Sequence, residues 1–599
     1  MSQSIFKSHR PDKPILTTSI FTRVLSSRTP AADDVGGFPG SSTAFIDGAT
    51  GTSLTRKQLL DLSLSFAYGI QNRPATAPFA TRGSTALIYS PNSLAWPVVL
   101  FGCVAAGLRC TTANSAYVAR ELAHQYSDSG SGLVLTAEEG ISVVRAMFSE
   151  MGISHQEGDK RTIILGRDLR WAGGPAAPVD ADCRGLLTLS DLLSGGKLNS
   201  EAKFEGALAH ETVYLCYSSG TTGKPKGVEL SHQNITTILD ILAADLFSGV
   251  KTPTGNCTTL GFLPFYHLYG LAAILQCTVV LGWSTVIHSQ FNPEQFCAAI
   301  EKYKVSLAFI VPPVLVVLAR HPAVDKYDLS SLEYMLSGAA PLGADLVKQV
   351  QRRLGAKRPE GAKVCAIGQA YGLTETSTAT HVYNFTETDA KVGSVGTLCS
   401  NLEARIVQDE DGIVDAEEGT PGELWVRGKT IMKGYLNNPT ATSNSITPDG
   451  WFKTGDILVK DKDSYYWVVD RKKELIKYKA FQVAPAELES VLLTHPDIAD
   501  AAVIGVDSPE QATELPRAYV VHARPQEVMS ADRKLAFAQS VVKWMESQVA
   551  KHKFLRGGVK VIDTVPKSAA GKILRRELRE LAKQEAARGE LNTVIKARL

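Results

Sequence analysis

The chain has 599 residues, 44% hydrophobic and 21% charged, and its 63 Lys and Arg nearly balance 61 Asp and Glu. Such a length exceeds one ordinary core and predicts several domains, while the even charge excludes the basic field of a nucleic-acid binder. The nine cysteines are scattered with no Cys-x-x-Cys pair, which excludes a disulfide framework or zinc site and fits a reducing compartment.

No N-terminal signal peptide is expected, because Lys7, His9, Arg10, Asp12 and Lys13 interrupt any apolar run. From about residue 55 helix-like and strand-like pieces alternate. Leu59 to Ala67 suits an amphipathic helix, Thr85–Tyr89 a strand, Trp96–Ala106 a buried helix and Gly132–Thr136 another strand. This alternation predicts an α/β protein with parallel pairing. Residues 155–210 are more polar and are expected to form a surface excursion.

The run Thr212 to Tyr217 is β-branched and aromatic, as in a buried strand, and it delivers Ser218, Ser219, Gly220, Thr221, Thr222 and Gly223 to one point. Glycines let backbone N–H groups close around an anion, and Lys224 and Lys226 add charge, a combination suited to a polyphosphate. It is not a Walker A loop: only two residues separate Gly220 from Gly223, and Pro225 stands where Ser or Thr belongs. A flexible surface loop has similar composition, so this stretch alone leaves both readings open.

A helix is expected at about 232–247. Residues 252–293 contain no Asp, Glu, Lys or Arg, yet Pro264, His267, Gln276 and three glycines divide them into pieces shorter than the ~20 residues a membrane span needs. A buried helix and strand are predicted there instead. Val305–Val311, Leu332–Leu336 and Val364–Ile367 read as strands; the last two end in small-residue turns, where open α/β sheets place ligands. Residues 393–470 look β-rich. Beyond the charged break at 470–474, strands at 501–506 and 519–522 and helices at 486–493 and 535–549 predict a small α+β domain.

Taken in order, Tyr217–Val228, Leu263–Gly270, Ser337–Gly343, Gln369–Thr376, Gly422–Gly428, Gly450–Asp456, Asp470–Gln482 and Pro566–Lys572 resemble the motifs of the adenylate-forming superfamily, nearest to 4-coumarate–CoA ligases and related peroxisomal acyl-CoA ligases. The resemblance implies a large N-terminal α/β domain of several subdomains with a β-rich part, residues 1–470, and a small mobile α+β domain, residues 471–599. It implies an acyl-adenylate made from a carboxylic acid and ATP with Mg²⁺, then a thioester made with coenzyme A, the small domain rotating between the two steps.

It also implies roles. Ser218, Ser219, Gly220, Thr221, Thr222 and Lys226 would hold the β- and γ-phosphates. Ala339, Ala340 and Tyr371 would sandwich adenine, Gln369 would lie in the same nucleotide site, Thr374 would touch the α-phosphate, and Glu375 would help bind Mg²⁺, which prefers oxygen ligands. Asp456 and Arg471 would bind the ribose hydroxyls, and His267 would stand at the mouth of an acyl pocket formed by Tyr269, Ala273, Phe309, Gly338, Ser377 and Thr378. Lys572 would serve adenylation from its loop, Lys477 the second step, with Gln482 on the nucleotide and Lys473 at the hinge. Taken singly, these residues also have bland readings, such as a core aromatic for Tyr371, a capping carboxylate for Glu375 or a solvated face for the lysines at 472–479.

Two departures stand out: Ala480 replaces a glycine common among relatives near the pantetheine path, and Gly422–Gly428 lacks the cysteine-containing box of plant 4-coumarate ligases. Hydroxycinnamate specificity is therefore not implied. The terminal Ala597-Arg598-Leu599 fits the small–basic–Leu peroxisomal address read by an import receptor. A carrier-loading adenylation enzyme, a luciferase-like oxygenase and a silent nucleotide or acyl binder are the alternatives.

Overall fold

A computed structural model of the chain describes residues 4–218, 225–250, 256–340, 342–356, 358, 363–385, 391–479, 481–508, 511, 513–568, 571–588 and 590. Ser219, Gly220, Thr221 and Thr222 of the glycine-rich loop, Ala480 and the terminal tripeptide lie outside the described residues.

Two mainly parallel sheets build most of the large domain, one of eight strands and one of nine. Thr85–Tyr89, fully buried, pairs in parallel with Arg109–Ala113 and Ser131–Ala137 in the first. The helix Arg56–Asn72 begins at a capping box, in which Thr55 Oγ1 accepts from the Gln58 N–H and Gln58 returns the favour to the Thr55 N–H. It crosses Ala95–Ala105, whose residues are all buried, at Gly102; a Cβ there would lie 2.5 Å from the Phe66 ring. The uncharged stretch forms the strands Thr258–Gly261 and Ser284–Ile287 around the helical segment 269–280, and among the described residues no helix is long and apolar enough to cross a membrane.

Two features differ from the sequence reading. Residues 155–210 are not only a surface excursion: Thr162–Leu165 is fully buried and extends the eight-stranded sheet, followed by Leu187–Thr188 at its edge. The four residues are too few to show a period against their polar surroundings. The helix expected at about 232–247 begins as read, at His232, but a strand unread in the sequence precedes it. Lys226–Ser231 first returns antiparallel along Thr212–Ser218, with Ser218 opposite Lys226, and the helix His232–Ile241 follows.

In the nine-stranded sheet Leu307–Ile310, Tyr334–Ser337 and Ala366–Tyr371 run parallel, with Ser337 opposite both Ile310 and Gln369. Their carboxyl ends therefore emerge side by side. A five-stranded antiparallel sheet, four strands from residues 402–471 and the fifth Phe6–Lys7, completes the large domain and sets Asp456 opposite Arg471 on its last two strands.

The hydrophobic packing of the large domain extends to Tyr466 and Val468, and a separate core starts at Ile476. That second core lies under the sheet of Ile498–Ser508, Thr513–His522 and Val559–Val561, covered by Ala531–Gln548 and Arg575–Ala587. Arg517 and Glu585, essentially inaccessible to solvent, form a 2.6 Å ion pair that ties the last helix to the sheet. Arg517 Nη1 also donates to the Gly557 carbonyl at 2.7 Å, and Tyr519 Oη to Glu585 at 3.0 Å. Across the domains, Arg320 Nη1 donates to the Ile498 carbonyl at 2.6 Å and Nη2 to the Leu493 carbonyl at 3.3 Å. Removing one partner of a buried pair strands the other charge, so Glu585→Ala is expected to destabilise the small domain by about 3 kcal/mol, read from its chemical denaturation midpoint.

Candidate functional site

The site lies where the parallel strands end. Beyond Tyr334–Ser337 the chain turns through Gly338 and Ala339, the latter at φ 69°, a left-handed conformation that residues with a Cβ rarely adopt. A side chain at Gly338 would meet the Tyr269 ring at 3.2 Å, which suits the absence of one. Tyr269 Oη donates to the Leu336 carbonyl at 2.8 Å, and its ring packs edge-on against the buried Phe309. Ala273 is buried on the same helical segment as Tyr269.

The next strand, Ala366–Tyr371, leads into a tight turn. Gly372 permits it: a Cβ there would sit 1.8 Å from the Thr378 carbonyl oxygen. Thr374–Thr376 form one 3₁₀ turn, after which Ser377 and Thr378 have φ of 60° and 129°. Ser377 Oγ donates to the Thr430 carbonyl at 2.6 Å, which anchors the strained pair. Ser337 Oγ and Thr378 Oγ1 are buried and find no hydrogen-bond partner among the described residues. Gln369 Nε2 reaches the Leu342 carbonyl at 3.4 Å, and Ala340 lies in the neighbouring turn.

Two carboxylates are held close by. Glu375 Oε1 accepts from Ser218 Oγ at 3.0 Å and from Tyr435 Oη at 2.9 Å, which joins the glycine-rich loop to the 374–376 turn. Lys226 Nζ lies 4.3 Å from the centroid of the Tyr435 ring, a cation–π contact. Asp456 accepts from Tyr371 Oη at 2.6 Å and pairs with Arg471 Nε at 3.2 Å. Burial pushes the Asp456 carboxyl upward, opposed by the Arg471 charge, and burial with Asp456 beside it keeps the Tyr371 phenol protonated.

Lys572 arrives from the small domain. Gly571 before it has φ 79°, and a Cβ there would lie 3.1 Å from Val311 Cγ2 in the large domain. Burial first and Arg471 second lower the Lys572 ammonium to about 8, against the pull of Glu474, Asp456 and Glu375. Burial and then the Lys572 charge bring His267 down to about 4, so its imidazole is neutral at physiological pH. Its Nδ1 accepts from the Tyr269 N–H at 3.3 Å.

The structure thus gathers Ser218, Glu375, Tyr371, Asp456, Arg471, His267 and Lys572. It does not bring Lys473, Lys477 and Gln482 to them. Lys477 and Gln482 face each other across the hairpin of Ile476–Tyr478 and Phe481–Val483, exposed, with Thr513 and Glu514 bonded to its backbone. Lys473 is also exposed, and its neighbour Lys472 donates to Glu423 Oε2 at 3.2 Å.

Sequence reasoning missed Tyr435 and Arg575. Tyr435 lies 60 residues from Glu375, with no spacing to link them. Arg575 binds Glu474 at 2.6 Å and Glu489 at 2.7 Å, fixing the start of the last helix to the segment after Arg471 and to the helix Pro485–Leu492. The charged break at 470–474 is the one signal that could have suggested such a partner.

Residues 32–436 match the family model of the AMP-binding enzyme, and residues 487–572 match that of the AMP-binding enzyme C-terminal domain. A 4-coumarate–CoA ligase of Oryza sativa subsp. japonica is 34% identical over 589 residues, covering 96% of this chain and 97% of its own. A probable CoA ligase of Humulus lupulus is 36% identical over 549 residues, 90% of each chain. Among solved structures, o-succinylbenzoate CoA synthetase of Bacillus subtilis, in complex with its acyl-adenylate intermediate, superposes with a TM-score of 0.70 at 25% identity, covering 90% of this chain and 95% of that one.

Gly372→Ala would drive a methyl into backbone and force the 371–378 turn apart. It is expected to destabilise the protein by about 2 kcal/mol or more and to weaken AMP binding, as measured by thermal denaturation and calorimetry.

Proposed function

The chain belongs to the AMP-binding enzyme family, and we propose that it is an AMP-forming acid–thiol ligase joining a small carboxylic acid to coenzyme A. In the first step a carboxylate oxygen bonds to the α-phosphorus of ATP and the bond to pyrophosphate breaks, giving an acyl-adenylate. In the second the coenzyme A thiolate attacks the acyl carbon, AMP leaves, and a thioester remains.

The observation that carries this reading is Lys572, an ammonium from one domain buried among Asp456, Arg471, Glu375 and His267 of the other. A cation so placed stabilises the charge that develops on the reacting phosphate, and in a poorly solvated site it does so with little reorganisation. Thr374 would contact the α-phosphate. Ser218, Lys226 and the loop between them would hold the departing pyrophosphate, with adenine against Ala339, Ala340 and Tyr371 near Gln369. Asp456 and Arg471 present an acceptor and donors to the ribose hydroxyls. Glu375, with the Ser218 hydroxyl bonded to it, offers the hard oxygen donors that Mg²⁺ takes alongside substrate phosphates. A bound Mg²⁺ would neutralise phosphate charge.

The acid would occupy the pocket of Tyr269, Ala273, Phe309, Gly338, Ser377 and Thr378, with neutral His267 at its mouth. Tyr269 Oη and Ser377 Oγ are already bonded to backbone carbonyls while Thr378 Oγ1 has no partner among the described residues, which supports a mainly apolar acid, aromatic or aliphatic, with room for one polar group at Thr378. For thioester formation the hairpin bearing Lys477 and Gln482 would turn toward the site about a hinge near Lys473. Ala597-Arg598-Leu599 supports delivery to the peroxisome through its import receptor.

A panel of acids supplied with ATP and coenzyme A tests the ligase: pyrophosphate and a thioester of at least one acid are expected, whereas adenylate without thioester for every acid would mark a carrier-loading enzyme. Lys572→Ala is expected to lose adenylation by at least about 10²-fold while still converting supplied acyl-adenylate, because only the first step uses that charge. Since Lys572 loses its proton near pH 8 in the free enzyme, kcat/KM for ATP should fall as pH rises through about 8, with no matching break from His267 between pH 5 and 8. A tagged protein with a free C-terminus should localise to peroxisomes; cytosolic retention would refute the address.

A further inference from the structure

Both ends of the glycine-rich loop are tied to a single helix of the large domain, Ala119–Asp128. Tyr217, just before the loop, donates its hydroxyl to Asp128 Oδ2 at 2.6 Å. Pro225, just after it, offers its carbonyl to His124 Nε2 at 3.1 Å; a carbonyl only accepts, so Nε2 carries the hydrogen. His124 and Asp128 are four residues apart and thus share one helix face. The His124 and Tyr217 rings meet edge to face at 6.2 Å. Burial, and Asp128 beside it, push the Tyr217 phenol upward, so it remains a donor.

On the side of the helix these bonds cross open space, so they supplement the strand pairing in locating the loop ends. A cavity of about 360 Å³ opens beside them, lined in part by His124, Asp128, Pro225, Lys226 and Asn437. Asp128 closes the C-terminal end of its helix, where the macrodipole disfavours a carboxylate. Two donors compensate: Tyr217 on the side chain, and Asn437 Nδ2 at 3.0 Å on the Asp128 carbonyl. Gly227 presses on the same tyrosine; a Cβ there would lie 3.1 Å from Tyr217 Cζ.

We infer that His124 and Asp128 are positioning residues for ATP: the strand pairing sets Ser218 opposite Lys226, and the bonds to Tyr217 and Pro225 fix where that paired end of the loop stands, presenting Ser218 and Lys226 to the β- and γ-phosphates. The inference rests on the reading of residues 217–226 as the pyrophosphate-holding loop. It makes the helix 119–128 part of the nucleotide site without touching the nucleotide. Its signature is selectivity by phosphate number: ATP, which carries the phosphates the loop would hold, should depend on the clamp, and AMP should not.

The test is calorimetric binding of a non-hydrolysable ATP analogue and of AMP to the full-length protein. His124→Ala and Tyr217→Phe each remove one bond and are expected to weaken the ATP analogue by roughly three- to tenfold, and the double variant by more, with AMP affinity unchanged. His124→Gln, which restores a donor, should recover most of the loss. Equal weakening of ATP analogue and AMP would show a general structural role and overturn the proposal, as would unchanged ATP-analogue affinity in both single variants. Lys226→Ala separates the two levels. If it weakens the ATP analogue while His124→Ala and Tyr217→Phe do not, the loop reading stands and the clamp falls. If none of the three variants affects the ATP analogue, both fall.

Discussion

Asp456 is the constraint on which the site depends. A carboxylate so deeply buried must be matched by donors, or its desolvation would outweigh whatever it contributes. Its two partners come from different places: Tyr371 ends a parallel strand of the nine-stranded sheet, and Arg471 lies opposite Asp456 on the last strand of the five-stranded sheet. One acidic group therefore fixes a sheet end, a β-rich subdomain and the exit toward the small domain relative to one another. Lys572 enters the same field, drawn by Asp456 and Glu375 and repelled by Arg471. A nucleotide whose phosphates carry several negative charges would tip that balance toward keeping the lysine in place.

Around this charge cluster the backbone is held in unfavourable conformations. Ala339, Ser377 and Thr378 all have positive φ, and all lie in the turns that follow two neighbouring strands. Each such residue costs on the order of 1–3 kcal/mol and persists only where surrounding contacts over-determine it. Those contacts are present: Ser377 Oγ on the Thr430 carbonyl, the Glu375 carboxylate on Ser218 and Tyr435, and the Met432 N–H on the Glu375 carbonyl at 2.9 Å. The strand 434–435 and its flanks thus act as a brace for the turn that follows Tyr371.

Much of this was legible in the sequence. Thr85–Tyr89 was readable to the residue, because five apolar or β-branched positions bounded by turn residues leave few alternatives. For the glycine-rich loop and the Lys572 loop, composition alone left a flexible surface loop open, and their roles were readable only as members of an ordered set of motifs that resembles a family. Other features were hidden for a physical reason. Tyr371 and Asp456 are 85 residues apart, Glu375 and Tyr435 60, and Tyr217 and Asp128 89; no local periodicity encodes such partnerships. The exposed setting of Gln482 was hidden likewise, because it depends on how one domain is turned against the other, whereas a solvated face was already an open reading for Lys477.

The nine cysteines, read first as evidence against disulfides and zinc, acquire a different meaning beside a thiol substrate. All nine are buried and unbridged. Burial pushes Cys216, Cys257 and Cys365 up to about 12, so at neutral pH they stay as thiols rather than the thiolates that attack disulfides. An enzyme that handles coenzyme A meets oxidised coenzyme A as well, and an accessible thiolate would exchange with it to form a mixed disulfide. Keeping its cysteine thiols covered leaves the incoming thiol as the reactive sulfur at the site. The apolar core thereby acts as chemical insulation as well as a source of stability.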